Sequence, residues 1–198
     1  MRPLLLALLF LILPSAVAQT IEDVEPTRLA APITIVTDTL DVMEGYPIVR
    51  HTAVGADGAR FDIVPETWRE PTITDRGNGW LEYMINCGTE CFFSIFVDKR
   101  GGVISPPVWY VLAFDEQRRR AVFVEEDLVW IGHPMRLGTA ASVELPYDSV
   151  MGRLLPAISD VRIEDDGSIR IFYYGEGGRP RSRLVRFQAP GPPSGTQR

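Results

Sequence analysis

The sequence predicts a mainly β fold: antiparallel strands in a meander or sandwich, or in a partial propeller-like packing, with one short helix. Three observations carry this. Most of the chain alternates apolar and polar residues, the period of a strand with one buried face. The alternating runs are parted by short turns rich in Gly, Asp and Pro. A single stretch shows the i, i+3, i+4 spacing of a helix.

The chain opens "MRPLLLALLFLILPSAVAQT". Arg2 supplies a short positive region, Leu4–Leu13 an unbroken apolar run, and Ala16-Val17-Ala18 a small-residue processing site. This is the pattern of a secretory signal peptide, with cleavage before Gln19. A spanning helix needs about 20 apolar residues, so the run is too short for an anchor. The residue directly after the processing site is Gln19 and not a cysteine, which disfavours a lipid-anchored form. The expected organisation is a signal peptide over 1–18, a loose segment over 19–31, one β-rich domain over 32–188 and a disordered tail over 189–198. The expected location is the periplasm or the exterior.

The net charge of the full chain is −6. An acidic surface repels phosphate backbones, so nucleic acid is not an expected partner. An envelope protein or a glycan is, and no membrane span is expected after cleavage.

Strands are expected over Ile33–Leu40, Pro47–Val54 and Ala59–Pro65, then over "WLEYMIN" and "CFFSIFVD". Pro106-Pro107 precede a strand over Val108–Asp115; prolines do not sit in central strands. "AVFVEED" and "LVWIGHP" continue the series. In "DVRIEDDGSIRIFYYG", Asp166-Gly167 between two alternating runs marks a hairpin. "GEGGRP" (Gly175–Pro180) reads as another hairpin turn rather than a phosphate cradle, and "SRLVRFQ" as the last strand. The helix is expected within "PYDSVMGRLLPAISD", where Tyr147, Val150, Met151, Leu154 and Leu155 share a face. Pro146 suits its first turn, Pro156 its end, and Gly152 weakens its middle.

Cys87 and Cys91 are the chain's two cysteines, separated by Gly88, Thr89 and Glu90. In an exported chain an even count reads first as a disulfide. The other two readings are a redox couple and half a metal site. The redox motif usually has two intervening residues at a helix start. A metal site needs more ligands, and His51 and His133 stand singly, far apart in sequence. Pairing Cys87 with Cys91 sets Ile85 against Phe93, Tyr83 against Ile95 and Leu81 against Val97, one coherent apolar face. The opposite face is mixed: Trp80, Glu82, Met84 and Asn86 against Phe92, Ser94, Phe96 and Asp98. Gly88 occupies the first loop position, where a three-residue loop wants its glycine last; a wider or bulged turn accommodates it. So small a ring stabilises by about 2 kcal/mol, so its main task would be to hold register.

"CGTECFFSIFVDKRGGVISPP" resembles a widespread family of exported bacterial β-rich proteins of unknown function. Its pattern is a strand, C-G-[ST]-x-C, a strand ending in Asp, a turn with Gly-x-Val and a proline-bounded stretch. Cys87, Gly88, Thr89, Cys91, Asp98, Gly102 and Val103 match it. Ile85-Asn86 stand where family members often carry Trp-Gly. The likeness covers Trp80–Glu126 and implies an exported β fold and a disulfide, with no activity attached.

No G-x-S-x-G elbow, H-E-x-x-H, P-loop or G-x-G-x-x-G occurs, so neither cofactor nor metal is expected. "EEDL" (Glu125–Leu128) and "EDDG" (Glu164–Gly167) read as solvated acidic turns, and Arg118–Arg120 as a solvated basic one. Among Trp68, Trp80, Trp109 and Trp130, the strand positions Trp109 and Trp130 are candidates for an exposed aromatic binding row; core packing is the plainer account of tryptophan. The function expected is a non-enzymatic envelope binding or accessory protein. The alternative is a small hydrolase using His51 or His133 with a carboxylate.

The signal peptide makes a direct prediction. Intact-mass measurement of the exported protein should begin at Gln19; a full-length species held in the membrane would contradict it.

Overall fold

The computed structural model describes residues 24–43, 46–67, 70–88, 91–148, 150 and 152–187. The signal peptide, Trp68, Thr89, Glu90 and the tail over 189–198 lie outside the described residues. The chain is mainly β, as expected, and no barrel closes. Every strand pairing is antiparallel.

β1 (Thr27–Arg28) is a two-residue strand. β2 (Thr34–Met43), β3 (Tyr46–Val54) and β4 (Arg60–Thr67) form a first meander. β5 (Thr72–Asp75), β6 (Trp80–Gly88), β7 (Cys91–Asp98) and β8 (Val103–Ile104) form a second sheet, extended by β1 beyond β8. β9 (Val108–Trp109) pairs with β7. β10 (Val111–Asp115), β11 (Arg120–Glu125), β12 (Leu128–Gly132) and β13 (Ala141–Val143) form a third sheet. After α1 (Leu154–Ala157), β14 (Ile158–Ile163), β15 (Ile169–Gly175) and β16 (Arg179–Val185) form the fourth.

Three apolar layers join these sheets in chain order. Ile33, Ala53, Ile63 and Val64 meet Tyr83, Ile95 and Val97 between the first and second. Trp80 and Phe96 meet Phe114, Phe123 and Trp130 between the second and third. Val122, Val124, Val129 and Ile131 meet Ile169, Ile171 and Tyr173 between the third and fourth. Alternation along β11 and β12 sends neighbouring residues into different layers. Both middle sheets are therefore buried on both faces.

This corrects the reading of the β6–β7 hairpin as one-faced. The expected register holds: Leu81↔Val97, Tyr83↔Ile95 and Ile85↔Phe93 are partners. The ladder shifts by one residue beyond Asn86, so Gly88 and not Cys87 stands opposite Cys91. That bulge absorbs the glycine the turn could not place, and Cys87 and Cys91 close a disulfide across it with Cα atoms 5.0 Å apart. The second face, mixed in its residues, is buried at Trp80, Glu82, Ser94 and Phe96. Ser94 donates its hydroxyl hydrogen to Glu82 at 2.6 Å.

The helix is shorter than expected and starts later. Gly152 has φ 78, Tyr147 bridges to Gly175 on β15, and Val150 is 89% exposed. None of these suits a helix face. Met151 lies outside the described residues. Among the described residues of this stretch only Leu154–Ala157 is α-helical, and Pro156 lies inside its first turn, where no backbone donor is needed. The strand expected over Val108–Asp115 is broken at Tyr110, which has φ 48.

Within the segment expected to be loose, Thr27 and Arg28 pair with Ile104 and Val103 of β8. Leu29 N–H donates to the carbonyl of Gly102 at 2.8 Å, and Ile33 N–H to that of Lys99 at 2.8 Å. Gly102 has φ 70, and a Cβ there would collide with the Leu29 carbonyl. Gly77 has φ 71 with open space around the same position. Gly77→Ala should cost about 1–2 kcal/mol for its left-handed backbone alone. Gly102→Ala should cost roughly 1–3 kcal/mol more, because the backbone before β2 must move. Urea unfolding of the two variants measures the difference; equal losses would refute the contact.

Candidate functional site

The structure separates the two tryptophans proposed as a binding row. Trp130 is 3% exposed and belongs to the layer between the second and third sheets. Its indole N–H donates to the carbonyl of Glu125 at 3.1 Å. Trp130 is a core residue because β12 is an inner strand of a sheet covered on both sides. Trp109 is 38% exposed and has aromatic company the sequence did not single out. Its ring centroid lies 5.1 Å from Phe93 and 6.2 Å from Tyr110, while Tyr110 meets Phe92 edge-on at 5.3 Å.

Tyr110 stands where the chain leaves β9 in the second sheet and enters β10 in the third. Its N–H donates to the carbonyl of Phe92 at 3.2 Å, and its own carbonyl accepts from Val124 N–H at 3.3 Å. Its left-handed backbone makes this crossing, and nothing in an apolar strand pattern announces such a conformation.

Beside these rings lies a cleft of about 580 Å³. Phe92, Tyr110, Val124 and Leu155 supply apolar wall, Glu125, Glu126 and Asp127 carboxylates, and Arg153 one positive charge. Glu125 pairs with Leu128, leaving a two-residue turn. Glu126 and Asp127 have φ 49 and 59, the left-handed pair a type I′ hairpin requires. The Asp127 carboxylate accepts Leu154 N–H at 3.0 Å, which fastens the turn to the start of α1. Read from sequence as a solvated turn, "EED" is a wall of the cleft. Of five described non-glycine residues with positive φ, three (Tyr110, Glu126 and Asp127) line this one cleft. Burial, and then the charge of Glu126, push the Glu125 carboxyl pKa up.

The arginine run is solvated only in part: Arg118 is exposed, while Arg119 and Arg120 are half-buried and engaged. The Arg119 guanidinium lies 4.9 Å over the Trp80 ring and donates to the carbonyls of Arg76 and Gly77. Arg120 bonds Asp115 at 2.9 Å and the Gly167 carbonyl at 2.8 Å, tying the third sheet to the β14–β15 turn. Burial alone would raise the pKa of Asp115, but the hydrogen bonds and charges of Arg120 and Arg118 hold it below the usual carboxylate range. At the "EDDG" turn, Glu164 bonds Arg170 at 2.7 Å and Asp166 accepts Ser168 N–H at 2.8 Å.

The two histidines occupy different layers. His51 is 1% exposed. Its Nδ1 shares a hydrogen bond of 3.0 Å with the Thr37 hydroxyl. Its Nε2 and the Tyr83 hydroxyl are both buried without a hydrogen-bond partner among the described residues, and the two rings meet edge-on at 5.5 Å. Burial lowers the His51 pKa, with the charge of Glu70 opposing, and pushes Tyr83 up to about 12. His133 accepts Met135 N–H on Nδ1 at 3.2 Å and lies edge-on to Trp80. Burial, with Arg136 and Arg119, lowers its pKa against the pull of Asp98. Neither histidine is hydrogen-bonded to a carboxylate among the described residues. Nor do these residues gather three or more His, Cys, Asp or Glu side chains to hold a metal ion.

No family model, curated protein or solved structure matches the chain.

His51 makes stability depend on pH. Its folded pKa lies below the ordinary value of 6.5, so between the two values the unfolded chain binds more protons. Stability is therefore lost as pH falls through 6.5 toward the folded pKa, and His133 acts in the same direction. Urea midpoints should fall between about pH 7.5 and about pH 5.5. His51→Phe, which cannot charge, should flatten that fall; an unchanged slope would remove His51 as its source.

Proposed function

We propose that this chain is an exported envelope binding or accessory protein, non-enzymatic, whose ligand seat is the cleft between β7, the β11–β12 turn and the start of α1. The resemblance of Trp80–Glu126 to exported β-rich proteins and the signal-like N-terminus support export. One observation carries the choice of site: the concentration of left-handed, non-glycine backbone at Tyr110, Glu126 and Asp127 around one cavity. Such conformations cost on the order of 1–3 kcal/mol each and persist where the structure needs a side chain aimed.

The lining defines the ligand class. Flat aromatic walls suit a sugar or apolar face, and three carboxylates against one arginine suit an amine. The reading is an amine-bearing glycan or a peptide with a free amine. Trp109, exposed beside Tyr110, is the natural reporter.

Titration of the protein with glucosamine oligomers, and with their N-acetylated counterparts, tests this by tryptophan fluorescence. The amine form should bind more tightly, and Glu125→Gln with Glu126→Gln should remove most of that preference, about tenfold for a lost charge contact. Trp109→Ala, which removes the reporter and is therefore measured by titration calorimetry, should weaken both ligands and leave the fold intact. Equal binding of both oligomers by every variant, or no binding at all, would overturn the reading.

A further inference from the structure

A second groove lies between the end strand of the third sheet and that of the fourth, each unpaired on its outer side among the described residues. β13 is paired on its β12 side and ends the third sheet; β16 is paired on its β15 side and ends the fourth. Ser142, Val143 and Glu144 from one edge and Arg183, Val185 and Arg186 from the other line a groove of about 590 Å³. The outward backbone groups of an edge strand are a template for another strand.

The chemistry of the β16 edge is unlike that of the rest of the chain. A protein of net charge −6 places Arg179, Arg181, Arg183 and Arg186 within eight residues. All four are exposed, and none forms an ion pair among the described residues. Arg181 stands opposite Tyr173 and Arg183 opposite Ile171. They therefore share the sheet face that packs into the third layer, at its margin. Pro180, opposite Tyr174, lacks a backbone donor, so the usable edge runs from Arg181 onward.

We propose that this edge receives an extended acidic segment of a partner protein, which adds as a strand beside β16 and sets its carboxylates over Arg181 and Arg183. The arginine row repels a second copy of the same edge, so it blocks self-pairing while admitting a strand of opposite charge. Strand addition supplies backbone hydrogen bonds, and side chains at alternate positions supply selectivity. The chain's own C-terminal residues 188–198 have the wrong chemistry for the seat: they contain three prolines and no Asp or Glu.

The probe is a synthetic eight-residue peptide with Glu at alternate positions and Thr or Val between, measured by fluorescence anisotropy against the full mature chain. Three comparisons accompany it: a peptide with Lys in place of Glu, the Glu peptide N-methylated on alternate amides, and the Arg181→Glu/Arg183→Glu variant. The Glu peptide should bind the wild-type chain. Affinity should drop about tenfold or more with the variant and with N-methylation, and the Lys peptide should bind the wild type weakly or not at all. Near-ultraviolet circular dichroism checks that the variant is folded, and the N-methylated peptide tests the strand geometry on the unaltered protein. Equal binding of the N-methylated peptide would mean a general anion patch and would overturn strand addition. Retained affinity in the variant, or no binding of the Glu peptide, would overturn the site.

Discussion

A sheet buried on both faces leaves a polar side chain no water to turn to. β6 carries Glu82 into such a place, 4% exposed. Its carboxylate is met by the Ser94 hydroxyl from β7 at 2.6 Å and by Arg76 Nε at 2.8 Å. Arg76 is held in turn, its guanidinium 5.7 Å from the Phe114 ring centroid and its carbonyl accepting from Arg119. Arg119 itself covers Trp80. The need of one carboxylate for partners thus fixes the turn before β6, the inner face of β7 and the turn between β10 and β11. Removing one member of such a buried pair typically costs about 3–5 kcal/mol, because the other charge is left stranded. The second and third sheets are placed on each other by this network as much as by the aromatic layer around it.

The third and fourth sheets repeat the device with the signs reversed in position: Asp115 ends β10, and Arg120 reaches past it to the Gly167 carbonyl and lies 4.2 Å from the Phe187 ring centroid. Both joints gather at the turn between β10 and β11, and the candidate cleft lies at the other end of that ladder. There the chain changes sheet at Tyr110, and the β11–β12 turn is locked to α1 by Asp127.

Much of this was legible in the sequence. Alternation found most of the long strands, and complementary apolar faces set the β6–β7 register as far as Asn86. What was not legible has physical causes. Alternation shows that one face is apolar; it does not show that the other is covered, so Ser94 fell on a merely mixed face and Trp130 could be weighed for an exposed row as well as for the core. The short strands β1, β5 and β13 owe their pairing to longer neighbours, and two to four residues carry too little pattern to announce a strand. Positive φ comes at Tyr110 from the crossing between sheets and at Glu126 and Asp127 from the two-residue turn, and neither Tyr nor Glu advertises it. The candidate cleft depends on those conformations, so only its parts, Trp109 and the acidic run, could be seen in advance.

The pairing of β1 with β8 has a bearing on how the molecule assembles. Each sheet is otherwise built from strands adjacent in the chain or, for β7 and β9, one strand apart, so each can form as soon as its own residues are present. β1 is the exception: Thr27 waits for Ile104. During synthesis from the N-terminus, the first strand made is among the last of the first two sheets to dock. The residues around it are left free until the second sheet exists, an interval in which whatever handles the nascent N-terminus meets a chain not yet committed to its fold.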